Sequence, residues 1–181
     1  MPTDETHPDP RDEIVEHIGA MRAFAFSLAR SDAEADDLVQ EALVKAWKNI
    51  ASFQAGTNMQ AWLFTILRNT FYSRHRKHKR EVGDPDGIAA GRLAEKPAHD
   101  GRLQMNEFTD AFATLPPEQR EALALVGASG YTYEEAAEMC GVKVGTIKSR
   151  VNRGRARLVD LLHGQDASYS DMTDSATTAV V

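Results

Sequence analysis

A chain of 181 residues has room for one ordinary domain or two small ones. No run approaches the ~18 apolar residues of a membrane span, and the acidic beginning, with Asp4, Glu5 and Asp9, is not that of a secretory signal; the cytoplasm is the expected compartment, with no membrane partner. Cys140 stands alone, which excludes an internal disulfide and a thiolate zinc site and leaves it a packing role. The net charge of -6 argues on average against a polyanionic partner, yet the charges are segregated. Residues 68–80 carry Arg68, Arg74, Arg76, Lys77, Lys79 and Arg80 without an acid, and residues 143–157 carry Lys143, Lys148, Arg150, Arg153, Arg155 and Arg157 without one. Eleven of the twenty-seven acids lie before residue 42, so the two basic stripes and the acidic opening point to more than one kind of partner.

Residues 1–11, rich in Pro, Asp and Thr, lack periodicity and read as disordered. From residue 12, Ile14, Ile18, Met21, Ala25 and Leu28 fall at helical spacing and predict one helix to about residue 30. Ser31 and Glu34 form a capping box before a second helix, whose apolar stripe runs Ala35, Leu38, Val39, Ala42, Leu43, Ala46, Trp47 and Ile50. After a break at 51–56, Thr57 and Gln60 offer another box, and Met59, Trp62, Leu63, Ile66, Leu67 and Phe71 predict the buried face of a third helix that runs into the first basic stripe. Both tryptophans sit on apolar stripes and are expected in the core. Residues 81–103, with Gly83, Pro85, Gly87, Gly91, Pro97 and Gly101, read as a flexible linker. Helical spacing resumes through Met105, Phe108, Ala111 and Phe112, and Pro117 suits the first position of the next helix, which continues to about Ser129. Nothing alternates with period two. The expected fold is all-α, with two small helical domains at 12–80 and 104–163 and a disordered tail at 164–181.

The most specific constellation lies near the end. Thr132 and Glu135 box a short helix over 133–140 that Gly141 closes in a left-handed conformation, and a second helix starts at Gly145 or Thr146. The pair is a candidate helix-turn-helix. Its second helix turns Ile147, Val151, Gly154 and Leu158 inward and Thr146, Ser149, Arg150, Arg153 and Arg157 outward, an arrangement suited to a major groove at the helix start and phosphates along its flank. The alternative reading is a solvated basic face on an ordinary helix; the acid-free run and the preceding turn favour DNA, but regulators of several classes use this motif, so it points to DNA binding and no more.

The runs Asp36-Asp37-Leu38-Val39-Gln40-Glu41-Ala42, Ala46-Trp47 and Ala61-Trp62-Leu63-Phe64-Thr65-Ile66-Leu67-Arg68-Asn69 resemble the second domain of extracytoplasmic-function sigma factors. Leu115-Pro116-Pro117-Glu118-Gln119-Arg120, Tyr133-Glu134-Glu135-Ala136-Ala137 and Gly145-Thr146-Ile147-Lys148-Ser149-Arg150-Val151-Asn152-Arg153-Gly154-Arg155 resemble the family's fourth domain. The wording of the last helices, with the long Gly- and Pro-containing linker, is most similar to the EcfG type, which directs a general stress response. The resemblance implies that Asp36, Asp37, Gln40 and Glu41 contact the clamp helices of the largest subunit of core RNA polymerase, although acids at a helix start also complement its dipole. It implies that Phe53, Gln54, Thr57 and Asn58 receive an unstacked base of the −10 element, that Asn69 reads the base before it, and that Arg74, Arg76 and Lys77 track the strand. The alternative reading makes Phe53 a core plug and its neighbours turn formers.

In the fourth domain the resemblance sets Thr146, Lys148, Ser149, Arg150, Asn152, Arg153 and Arg157 toward the −35 element, with Asn152 where the family often has a larger or apolar side chain. Arg with guanine and Asn with adenine are the geometrically favoured pairs. The implied partners are core polymerase (clamp helices and flap), promoter DNA and a small anti-sigma protein of the NepR type, the free protein being monomeric. His75 and His78 lack further ligands and stand among cations, so no metal is expected, nor any cofactor. An enzyme is excluded by the lack of a paired nucleophile and base, a phosphate loop or a metal cluster. Two other classes are alternatives. A helix-turn-helix regulator with an N-terminal dimerisation or sensing module would bind duplex tightly alone, and an anti-sigma decoy would carry a receiver domain for which the chain is too short.

Overall fold

A computed structural model describes the backbone of residues 9–29, 31–82 and 100–174, and within these the side chains except at 82, 100–104 and 164–174. Every regular element among them is helical, in two compact units, one carrying α1 to α4 and the other most of α5 to α8.

The stretch predicted as one opening helix is two, α1 (Pro10–Glu16) and α2 (Ile18–Leu28). Asp9 starts α1 by accepting the Arg11 N–H at 2.9 Å, and the chain bends at His17, whose N–H reaches the Ile14 carbonyl. The bend lets α1 pack on α4 while α2 packs on both α3 (Asp32–Lys48) and α4 (Met59–Val82), which one straight rod would not do. Ile14 and Met21 are buried as expected, whereas Ile18, at the bend, is turned partly outward. The Phe24 and Phe64 rings stack at 4.4 Å between α2 and α4.

Ser31 caps α3 through its hydroxyl, which accepts the Glu34 N–H at 3.2 Å. Ala35, Leu38, Val39, Ala42 and Ala46 form its buried face, but Trp47, expected in the core, is 54% exposed. The cause is helical drift. Each four-residue step advances about 40° beyond a full turn, so along Val39, Leu43 and Trp47 the stripe walks off the core, from buried through half-buried to exposed. Residues Ile50–Ser52 make one 3₁₀ turn. The cap of α4 also differs from expectation: Asn58 Oδ1 accepts the Ala61 N–H at 3.0 Å, while the Thr57 hydroxyl donates to the Gln54 carbonyl at 2.7 Å. Met59, Leu63, Phe64, Leu67, Thr70 and Phe71 are buried, with Trp62 and Ile66 half-buried at the margin.

In the second unit, α5 (Asp100–Ala113) ends before the Pro pair and α6 (Pro117–Leu123) starts on Pro117, as predicted. The expected continuation of α6 becomes a π turn at Ala124–Ala128, with the Ser129 N–H reaching back to the Ala124 carbonyl. The extra residue keeps Leu125 buried as the chain leaves the helix through Gly130 (φ +76°). Helix α7 (Tyr133–Cys140) opens on the reciprocal box: Glu135 N–H to the Thr132 hydroxyl, Thr132 N–H to the Glu135 carboxylate. Gly141 closes it at φ +64°, where a side chain would be strained. Helix α8 starts at Val144 and its backbone stays helical to Asp174, past the expected end near residue 163. A single Gly such as Gly164 costs a helix only about 1 kcal/mol, and no Pro follows it. The predicted linker falls mostly on residues 83–99, outside the described ones, as do residues 1–8 and 175–181 of the predicted tails.

Candidate nucleic-acid interface

On α3 the four expected contact residues are not alike. The Asp36 carboxylate is held by the Arg22 guanidinium at 2.7 and 3.1 Å. Glu41 receives Lys45 at 2.7 Å and also Arg74, and the Lys45 hydrogen bond, with Arg74 behind it, keeps its carboxyl below the usual range against a partial desolvation. Asp37 and Gln40 are exposed. Their outward stripe continues at helical spacing through Val44 and Trp47, both more than half exposed, with the Arg11 guanidinium 5.4 Å from the Trp47 ring. Val44 is not among the residues singled out from the sequence, and Trp47, expected in the core, is exposed. The signal available was the i, i+3, i+7, i+10 relation of Asp37, Gln40, Val44 and Trp47 on the side opposite the alanines.

The loop before α4 holds Phe53 half-buried, its ring 5.4 Å from that of Trp62. Gln54, Thr57 and Asn58 are exposed, Gly56 turns the chain at φ +85°, and Thr57 and Asn58 are tied by the turn and cap bonds described above. At about 100° per residue, Trp62, Asn69, Ser73, Arg76 and Arg80 share one face of α4, with Lys77 at its edge. The Phe53–Trp62 pair thus starts a stripe that leads through exposed Asn69 to exposed Arg76 and Lys77. Arg68, over the Tyr72 ring at 4.8 Å, donates to Asn69 Oδ1 at 3.4 Å and sets its amide.

Arg74 does not join this stripe. Its place on the helix continues the buried line of Leu63, Leu67 and Phe71, so it reaches α3, donating to Glu41 and, at 3.3 Å, to the Asp37 carbonyl. Two residues assigned from sequence to different interfaces are partners of each other. Lys45 strengthens the same junction through the buried Thr70 hydroxyl at 3.1 Å.

On α8 the inward residues Ile147, Val151, Gly154 and Leu158 are buried as predicted. The outward face is rotated from the expected one. Lys148, Asn152, Arg153, Arg155 and Arg157 are exposed, whereas Thr146, Ser149 and Arg150 are half-buried. Lys148 lies over the Tyr133 ring at 5.7 Å. Arg150, its side chain 23% exposed, faces the fully buried Glu121 carboxylate at 3.9 Å. His75 stacks on Phe71 at 6.0 Å, and among the described residues no group of three or more His, Cys, Asp or Glu is placed to hold a metal ion. No helix among them is long and apolar enough to cross a membrane.

Residues 14–81 match the family Sigma-70 region 2, and residues 105–158 match Sigma-70, region 4. The chain is 55% identical over 171 residues to the ECF RNA polymerase sigma factor EcfG of Rhodopseudomonas palustris, with 94% of each chain covered. It is 30% identical over 151 residues to the ECF RNA polymerase sigma factor SigM of Bacillus subtilis, covering 81% of this chain and 91% of that one. Among solved structures it is similar to the sigma factor RpoE of Bartonella quintana, determined in complex with the anti-sigma factor NepR. That match has a TM-score of 0.74 and 50% identity, covering 84% of this chain and 96% of the other. The two helical units follow the order of those two regions, and the chain belongs to the extracytoplasmic-function group of the sigma-70 family, similar to the EcfG type: a transcription initiation factor with no catalysis of its own.

Proposed function

We propose that the outward stripe of α3, Asp37, Gln40, Val44 and Trp47, docks on the clamp helices of core polymerase, and that the first unit then captures the −10 element. Phe53 and Trp62 form the aromatic wall against which an unstacked base rests, Asn69 reads its neighbour, and Arg76 and Lys77 follow the strand. Stacking of this kind contributes about 1–3 kcal/mol per base, enough to offset the few kcal/mol of unstacking. The second unit places Lys148, Ser149, Asn152 and Arg153 in the −35 groove, with Arg157 on a flanking phosphate. The protein works in the cytoplasm, is monomeric when free, serves a general stress response and is held inactive by a small anti-sigma protein of the NepR type.

The observation that carries this reading is the division of exposed groups: an acidic and apolar stripe on α3, and separate basic faces on α4 and α8. Run-off transcription with purified core polymerase tests it. Specific initiation that depends on both elements is expected, with Asp37→Ala and Trp47→Ala each weakening polymerase binding while leaving promoter preference intact. Tight duplex binding by the protein alone, without any initiation, would support a conventional helix-turn-helix regulator instead.

A further inference from the structure

Helix α8 meets α6 at two levels one helical turn apart. At Gly154 the helices approach so closely that an added Cβ would stand 2.8 Å from Leu123 Cδ1 and 3.3 Å from its Cγ. One turn earlier, Arg150 faces Glu121, whose side chain is fully buried, at 3.9 Å. The first contact is apolar and without direction, so it sets the distance between the helices but allows α8 to roll about its axis. The second is an ion pair between a fixed buried carboxylate and a guanidinium at the boundary between the core face of α8 and its exposed face. Such pairs contribute little net stability, and their best-attested use is to fix register.

From this arrangement we infer that Glu121 is a positioning residue for −35 recognition: it anchors the Arg150 guanidinium to α6 and thereby sets the roll of α8 that presents Ser149, Asn152 and Arg153 to the groove. Arg150 is accordingly removed from the phosphate-binding set. Its Nη1 is buried and makes no hydrogen bond, and the Glu121 carboxylate 3.9 Å away is the anion it faces. Without Glu121 the guanidinium turns to the nearest phosphate and draws the reading face off the base edges. The inference rests on α8 being the −35 reader.

The test uses full-length protein in holoenzyme on a promoter located by sequencing the 5′ ends of its transcripts, and on the same promoter with a scrambled −35 element. The ratio of initiation rates on the two measures −35 discrimination. Glu121→Gln and Arg150→Gln should each lower it about tenfold, the scale of one base contact, and the double variant should be no worse than either alone. Losses that multiply in the double variant would mean that Glu121 acts on stability and not through Arg150. Independently of how Glu121→Gln folds, Arg150→Gln should leave the salt dependence of DNA binding unchanged, whereas a phosphate ligand would lower the slope by about 0.9; that reduction would overturn the inference. Arg153→Ala separates the two levels. If it leaves discrimination intact, the reading of α8 fails and the inference with it; if it lowers discrimination while Glu121→Gln does not, only the inference fails.

Discussion

In sequence the two basic stripes are nearly interchangeable, each with six cations and no acid; in the structure they are built on opposite plans. The stripe on α4 begins where the core ends. Beyond Phe71, every residue from Ser73 to Glu81 is exposed, and Arg74 is the inward tie. The stripe on α8 lies over its core, with Ile147, Val151, Gly154 and Leu158 buried between the cations. One is a projecting arm and the other a rail bolted along its length. A rail suits duplex DNA, whose groove has a fixed shape to which base-reading side chains must register, whereas an arm suits a separated strand whose backbone can adapt to it.

Five substitutions break or sharpen this contrast. The largest effect is expected from Leu67→Ala, which empties a fully buried position under the arm and should destabilise the first unit by about 2–5 kcal/mol; thermal unfolding should shift while duplex binding by α8 is retained. Gly154→Val should force α8 away from Leu123 at a cost of about 1–3 kcal/mol, abolishing −35 discrimination in run-off assays and sparing polymerase binding. Smaller again, Arg76→Ala should reduce the salt slope on single-stranded −10 DNA by about 0.7, and Arg157→Ala that on duplex −35 DNA by about 0.9. Effects that cross over, Arg76 on duplex or Arg157 on single strand, would erase the distinction between arm and rail. The smallest effect concerns pH. The Glu41 carboxyl is held below its ordinary value of 4.5, so its pairing stabilises the fold above that pH and is lost as pH falls through the lower folded value. Glu41→Gln should therefore make the acid limb of the stability profile shallower, as followed by thermal melts between neutral and acid pH.

Local chemistry in the sequence carried most of the fold. The Ser31 cap, the Thr132–Glu135 box, Pro117 at a helix start and Gly141 at a helix end all act within a few residues, and the structure realises each of them. Features that depend on distant chain were not legible. The bend at His17 answers to packing on α4, and the exposure of Trp47 reflects a slow drift that a list of i+3 and i+4 positions conceals. The partner of Arg74 is 33 residues away in sequence, and that of Arg150 lies on another helix altogether. A run of cations shows where charge is concentrated, but not which of its members are already engaged within the fold. The candidate site was thus legible as a set of faces and less so as a set of side chains.

Both tryptophans of the chain belong to the first unit, and their surroundings differ: Trp47 faces outward beneath Arg11, while Trp62 lies half-sheltered against Phe53. Tryptophan emission therefore arises from the first unit alone and carries two separable signals from it. Emission from Trp47 responds to whatever covers α3, and that from Trp62 to whatever enters beside the loop. With Trp47 replaced by Phe, the remaining indole becomes a built-in optical reporter for the moment at which a promoter base leaves its stack.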